Sequence, residues 1–189
     1  MRYFLNLLLL CVLLINTSSC STEPEPELDL PPITQDGRNS LGMKANGKVW
    51  VNHGDICNWF SCDDNVVEGR LHKNQDGSRS LILLAFYADK KKNISQQFSL
   101  NGKNIKATGT YQLKPGQENH AGLAINMTQN DFYQLGNNSS FTITVTRLDT
   151  VNHIVSGQFE GVLEHYSDNT KKMTITEGRF DTKLIYSSW

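Results

Sequence analysis

Phe141-Thr142-Ile143-Thr144-Val145-Thr146-Arg147-Leu148 decides the fold class. Phe141, Ile143 and Val145 fall on one side of an extended chain and the three threonines on the other. A period of two in β-branched residues marks a strand with one face on a core and one in water. C-terminal to it, residues 154–165 and 172–186 read as a long closing hairpin turned at Ser167-Asp168-Asn169. On its first arm Val155, Phe159 and Leu163 share a face with Gly157 and Gly161, which leaves room for bulky neighbours. On its second arm Met173 and Ile175 are odd-numbered, but Phe180, Leu184 and Tyr186 are even. The apolar face changes phase near Glu177-Gly178, and one inserted residue at a β-bulge accounts for it. Alternating charges at Glu177, Arg179 and Asp181 are expected to keep the outer face soluble; because a bulge re-aims side chains, a site there is the alternative.

Towards the N-terminus the same grammar holds. Asn46-Gly47 suits a type I′ hairpin turn between residues 41–45 and Lys48-Val49-Trp50-Val51. Residues 66–73 alternate, with Val67, Gly69 and Leu71 opposite Glu68, Arg70 and His72, and Asn74-Gln75-Asp76-Gly77 turns them. The apolar run at residues 80–88, SLILLAFYA, reads as a central strand covered on both faces, with a short buried helix as the alternative. Weaker strands are expected at 95–100 and 105–113, joined by Asn101-Gly102-Lys103-Asn104, then at 120–128 and 131–135. About nine or ten strands and no convincing long helix imply an all-β, single antiparallel domain over residues 39–189. A two-sheet β-sandwich is the expected architecture, with a lipocalin-like β-barrel as the alternative. The distinction bears on function, since a barrel would enclose an apolar ligand and a sandwich would bind by its loops.

Residues 1–19 read as a lipoprotein signal peptide. Arg2 precedes an apolar run from Tyr3 to Ile15 broken only by Asn6, followed by Asn16, Thr17, Ser18 and Ser19. That run is short for a bilayer span, which takes about 20 apolar residues. Thr17-Ser18-Ser19-Cys20 resembles the bacterial lipobox, which makes Cys20 the lipid-attachment residue and the membrane a partner through that anchor. Residues 20–38 form the tether. Glu23, Glu25, Glu27 and Asp29 alternate with Pro24, Pro26, Pro31 and Pro32, a composition that stays extended and solvated. A serine and acidic residues directly after the cysteine resemble the Bacteroidota signal for the outer face of the outer membrane. The expected location is therefore the outer membrane, at the cell surface or on the periplasmic side.

The whole chain carries 18 basic and 19 acidic residues. Loss of the leader removes only Arg2 among the charges, so nothing points to nucleic acid, which needs a basic face. Cys57 and Cys62 remain in the domain, five residues apart, and in an exported chain they read as a local disulfide. Between them lie Trp59 and Phe60, in the polar stretch at residues 52–65. Trp59 is expected to fold back as a plug over one end of the core. The alternative is that both rings stay exposed and stack on a sugar or meet a protein partner. His53, Asp55, Cys57 and Cys62 match no usual zinc spacing, and no cofactor is expected.

No G-x-S-x-G, H-E-x-x-H, phosphate-loop or dinucleotide string occurs. The expected function is a non-catalytic binding or interaction module, with a carrier of a small apolar molecule or a structural envelope protein as alternatives. Leu30-Pro31-Pro32, Thr34-Gln35, Gly37, Asn39, Gly42 and Asn46-Gly47-Lys48 with Trp50 resemble the opening of an uncharacterised family of Bacteroidota lipoproteins. Ser156 to Gly161 and Ile175 to Asp181 are similar to its closing hairpin. The resemblance implies an all-β lipoprotein and brings no activity. Asp149-Thr150-Val151 also resembles the short O-glycosylation sequence of Bacteroidota, making Thr150 a candidate modification site.

Overall fold

Alternating sequences of this kind must bury one face, and here they do so in two layers that enclose one core. The computed structural model describes residues 28–57, 59–116, 118–126 and 131–185. The leader, Cys20, most of the acidic spacer and Tyr186 lie outside them. Thirteen strands, and no helix, occur among the described residues: β1 (Ser40–Ala45), β2 (Lys48–Val51), β3 (Asp55–Cys57), β4 (Cys62–Asp64), β5 (Val67–Lys73), β6 (Arg79–Asp89), β7 (Ile94–Lys103), β8 (Gly109–Leu113), β9 (His120–Asn126), β10 (Asp131–Gln134), β11 (Ser140–Asp149), β12 (Ile154–His165) and β13 (Lys172–Ile185). Two of the thirteen, β3 and β4, form a small separate hairpin within the 52–65 stretch, where no strand is expected from the sequence.

The other eleven strands share one curling sheet. It divides into a six-strand layer, β2-β1-β13-β12-β11-β8, and a five-strand layer, β5-β6-β7-β9-β10. Two corners join them. Leu184 and Ile185 at the end of β13 pair in parallel with Gly69 and Arg70, and Glu164 and His165 at the end of β12 pair with Gln134 and Tyr133. The architecture is sandwich-like, with β2 and β8 as uncovered edges of the larger layer.

Aromatic rings fill the interior. Phe98 of the small layer stacks on Phe159 of the large one at 4.9 Å between centroids, and Phe141 and Phe180 lie 6.0 and 6.4 Å from Phe159. These rings need space beside them, and glycine supplies it. Three cross-strand pairs set a phenylalanine opposite a glycine: Phe141 and Gly161, Phe180 and Gly157, Phe159 and Gly178. Each ring lies where its partner's Cβ would stand, a glycine-for-aromatic exchange known to pin sheet register.

The phase change in β13 is a bulge. Phe159 faces Gly178 and Gly161 faces Ile175, so Thr176 and Glu177 together oppose Glu160, and Glu177 takes a φ of 52°. β6 departs from expectation. Leu81, Leu83 and Ala85 are fully buried, but Ile82, Leu84 and Phe86 are only partly covered, since among the described residues no element overlies the outer face of that layer as in a doubly covered sheet. The strand expected at 105–113 begins only at Gly109, and β7 runs on through Lys103. Ile105 is buried as a loop residue, packed where Gly102 lacks a side chain.

Before β1 the chain lies on the domain as a strap. Pro31 sits on Gly42 of β1, and Gly37 packs against Ile154 and Lys183. Asp181 of β13, 1% exposed, holds the strap: it accepts Thr34 Oγ1 at 2.7 Å, the Gly37 amide at 2.8 Å, the Asp36 amide at 3.0 Å and the Arg38 amide at 3.3 Å. A fifth donor, Ser156 Oγ, reaches it at 2.7 Å from β12. Asn39, at a φ of 55°, then turns the chain into β1, and its Oδ1 accepts from Thr182 Oγ1 and the Lys183 amide. From Pro31 onward, the stretch assigned to the tether is thus laid against the domain.

Candidate functional site

The β3–β4 hairpin has a fixed base and an open tip. Its base is stitched to β6 by His53 N to Phe86 O at 3.0 Å and Ala88 N to His53 O at 2.8 Å. Asn65, at a φ of 51°, closes it: its amide donates to Gly54 O and its Oδ1 accepts from Gly54 N, both at 3.0 Å. Gly54 has a φ of 78° and faces the Ala88 carbonyl so closely that no Cβ fits. Cys57 and Cys62 pair across the hairpin and form the expected disulfide, so they offer no thiolates to a metal. Lys90 Nζ reaches Asp55 at 3.3 Å and Cys57 Sγ at 3.2 Å, tying the β6–β7 turn to the hairpin.

At the tip Trp59 is 98% and Phe60 99% exposed. Trp59 does not plug the core; that place is held by Trp50, 5% exposed, whose indole N–H donates to Gln96 at 2.9 Å. A disulfide closing so short a loop removes little unfolded-state entropy, about 2 kcal/mol. A Cys57→Ser/Cys62→Ser protein is expected to lose no more than about 2 kcal/mol in urea denaturation, while the tip becomes the first place cut by limited proteolysis.

A second feature lies on the outer face of the large layer. Thr142, Thr144, Gln158, Glu160, Glu177 and Gly178 line an open groove of about 200 Å³ above Phe159. The bulge aims Glu177 at its rim, where Lys44 Nζ meets Oε1 at 2.5 Å and Arg179 stands at 3.5 Å. The bond from Lys44 holds the Glu177 carboxyl below its ordinary range. Gln112 donates to Thr142 at 3.0 Å, and Thr110 and Thr144 share a hydrogen bond at 3.1 Å. Sequence reasoning flagged Glu177 and Arg179 through the phase change but not Gln158, Glu160 or the threonines, which read as an ordinary solvated face.

No family model, curated protein or solved structure matches this chain. The strings at residues 30–50 and 175–181 meet in space. Thr34, Gly37 and Asn39 of the first are bonded to or packed on Asp181, Thr182 and Lys183 of the last strand, and Arg147 donates to the Gln35 carbonyl. Those residues build the strap, a structural task. Asp181, flagged as a site candidate, belongs to that lock.

One further cluster was invisible in the sequence. At the β10–β12 corner His165 Nε2 lies 3.3 Å from Asp131, and its Nδ1 lies 3.1 Å from Ser167 Oγ. The order imitates a serine hydrolase, but the setting does not support one. The Ser167 amide also points at Nδ1, 3.4 Å away, as in a local turn, and Asp131 is 44% exposed, too solvated to polarise the ring. Phe132 and Tyr166 stack beside it at 4.2 Å, which closes the corner.

Thr150 lies exposed in the β11–β12 turn. Asp149 organises that turn, accepting from Arg147 at 2.7 Å and from the Asn152 and Val151 amides at 2.8 and 3.0 Å. Arg147 first, then Asn152, keeps its carboxyl well below the usual range.

Proposed function

We propose that this chain is a lipid-anchored binding module of the cell envelope, non-catalytic, that engages its ligand through the Trp59–Phe60 hairpin. The observation that carries the reading is the pair of rings, 98% and 99% exposed on a covalently closed hairpin. Leaving two large aromatics in water forfeits the burial that would favour folding, about 1.5–3 kcal/mol for such a side chain. The stiff base holds the rings where a partner can cover them at small entropic cost. The packed phenylalanine interior favours this reading over an enclosed apolar carrier. The leader and Cys20 supply the anchor, and the exposed Asp149-Thr150 turn is open to O-glycosylation.

Trp59→Ala/Phe60→Ala is expected to bind isolated envelope material at least tenfold more weakly, with a stability within about 0.5 kcal/mol of wild type because both side chains are almost wholly exposed. Unchanged retention would end the hairpin reading. The anchor has its own test: labelled palmitate should enter the wild-type protein and not Cys20→Ala, which should leave the membrane fraction.

A further inference from the structure

We infer that the hairpin tip is a saccharide-stacking site, a conclusion that rests on the hairpin being the binding element. Size is the first argument. Two aromatic side chains offer about 150–250 Å² each. A stable protein interface buries roughly 800 Å² per partner, so the pair falls short of one but suits the C–H faces of one or two sugar rings.

Charge is the second argument. The hairpin carries Asp55, Asp63 and Asp64 and no basic residue, and Asp63 and Asp64 are exposed. The adjacent β6–β7 turn carries Lys90, Lys91 and Lys92, all exposed, of which Lys90 is paired with Asp55 and Lys92 with Asp89. The hairpin itself offers no lysine or arginine to hold a phosphate, whereas its carboxylates readily accept hydrogen bonds from hydroxyls. A neutral or N-acetylated oligosaccharide fits; an anionic lipid surface does not.

Direction is the third argument. Followed back from Gly37, the strap passes Arg179 and Gly42 to Pro31, in the sense in which β1 runs. The hairpin leaves from the opposite end of β1, where the Asn52 amide donates to the Leu41 carbonyl. The strap, followed back to Pro31, and the hairpin therefore leave β1 in opposing senses, so the strap does not run towards the tip.

The test is retention of the full mature chain on immobilised neutral and N-acetylated hexasaccharides, in parallel with phosphatidylglycerol vesicles. The expected result is retention on at least one sugar class, reduced tenfold or more in Trp59→Ala and in Phe60→Ala, with no vesicle binding by protein lacking the acyl chain. Absence of retention on every sugar, retention indifferent to Trp59→Ala, or Trp59-dependent vesicle binding would each overturn the inference. If Trp59→Ala still weakens binding to whole envelope material while no sugar retains the protein, the hairpin reading survives and the saccharide assignment alone falls. Circular dichroism of each variant confirms that the sheet is intact.

Discussion

Asp181→Ala is expected to destabilise the domain by about 3 kcal/mol or more in urea denaturation, a large share of the 5–15 kcal/mol typical of a single domain. The size follows from what the carboxylate holds: five donors converge on it, and the one on Ser156 is itself fully buried. Removing the acceptor leaves buried donors without a partner, which costs more than the bonds themselves contribute. The amides of residues 36–38 should then exchange with solvent far faster than those of β12 and β13. The lock also has a pH signature. Burial alone would raise the Asp181 pKa, but the bonds from Thr34 and Ser156 and the Gly37 and Asp36 amides outweigh it and lower the value. A depressed folded-state pKa means that the contribution is complete above the ordinary carboxylate range and fades as pH falls through the folded value. Wild-type stability should therefore decline below about pH 4, and Asp181→Asn should lose this part of the decline.

Gly161→Val is expected to cost about 3 kcal/mol or more, or to prevent folding, judged by soluble yield and thermal denaturation. A Cβ at Gly161 would stand 2.7 Å from both the Phe141 Cα and its ring. The ring has a rotamer to turn to, but the Cα belongs to the β11–β12 ladder and moves only if the ladder opens. Phe141→Leu should therefore fail to rescue Gly161→Val, which separates a backbone clash from simple overcrowding. Gly47→Ala makes a useful contrast: nothing lies within 4 Å of that position, and its φ of 79° leaves only conformational strain, about 1 kcal/mol.

What was legible in the sequence was whatever two-residue periodicity governs. The threonine alternation of β11, the Asn46-Gly47 turn and the shift of phase at Glu177 each show in local order, and each corresponds to a strand, a turn and a bulge in the structure. The position of Trp59 was not legible, because an apolar side chain is inward by default and only the finished core shows that Trp50 already fills the available place. Ile105 misled for a related reason: buried as it is, it joins the core from a loop, and periodicity cannot separate the two. The groove beside Glu177 depends on residues from β11, β12 and β13 meeting on one face, a matter of register between segments far apart in sequence.

The strand at the middle of the larger layer is also the last in chain order among the described residues. β13 supplies the partner of β1, about 135 residues upstream, and the carboxylate that holds the strap. Contacts of such separation slow folding. Until β13 docks, β1 and β2 are without their main neighbour. The larger layer is therefore completed in one late step, and removal of residues 178–185 would leave the whole assembly short of completion.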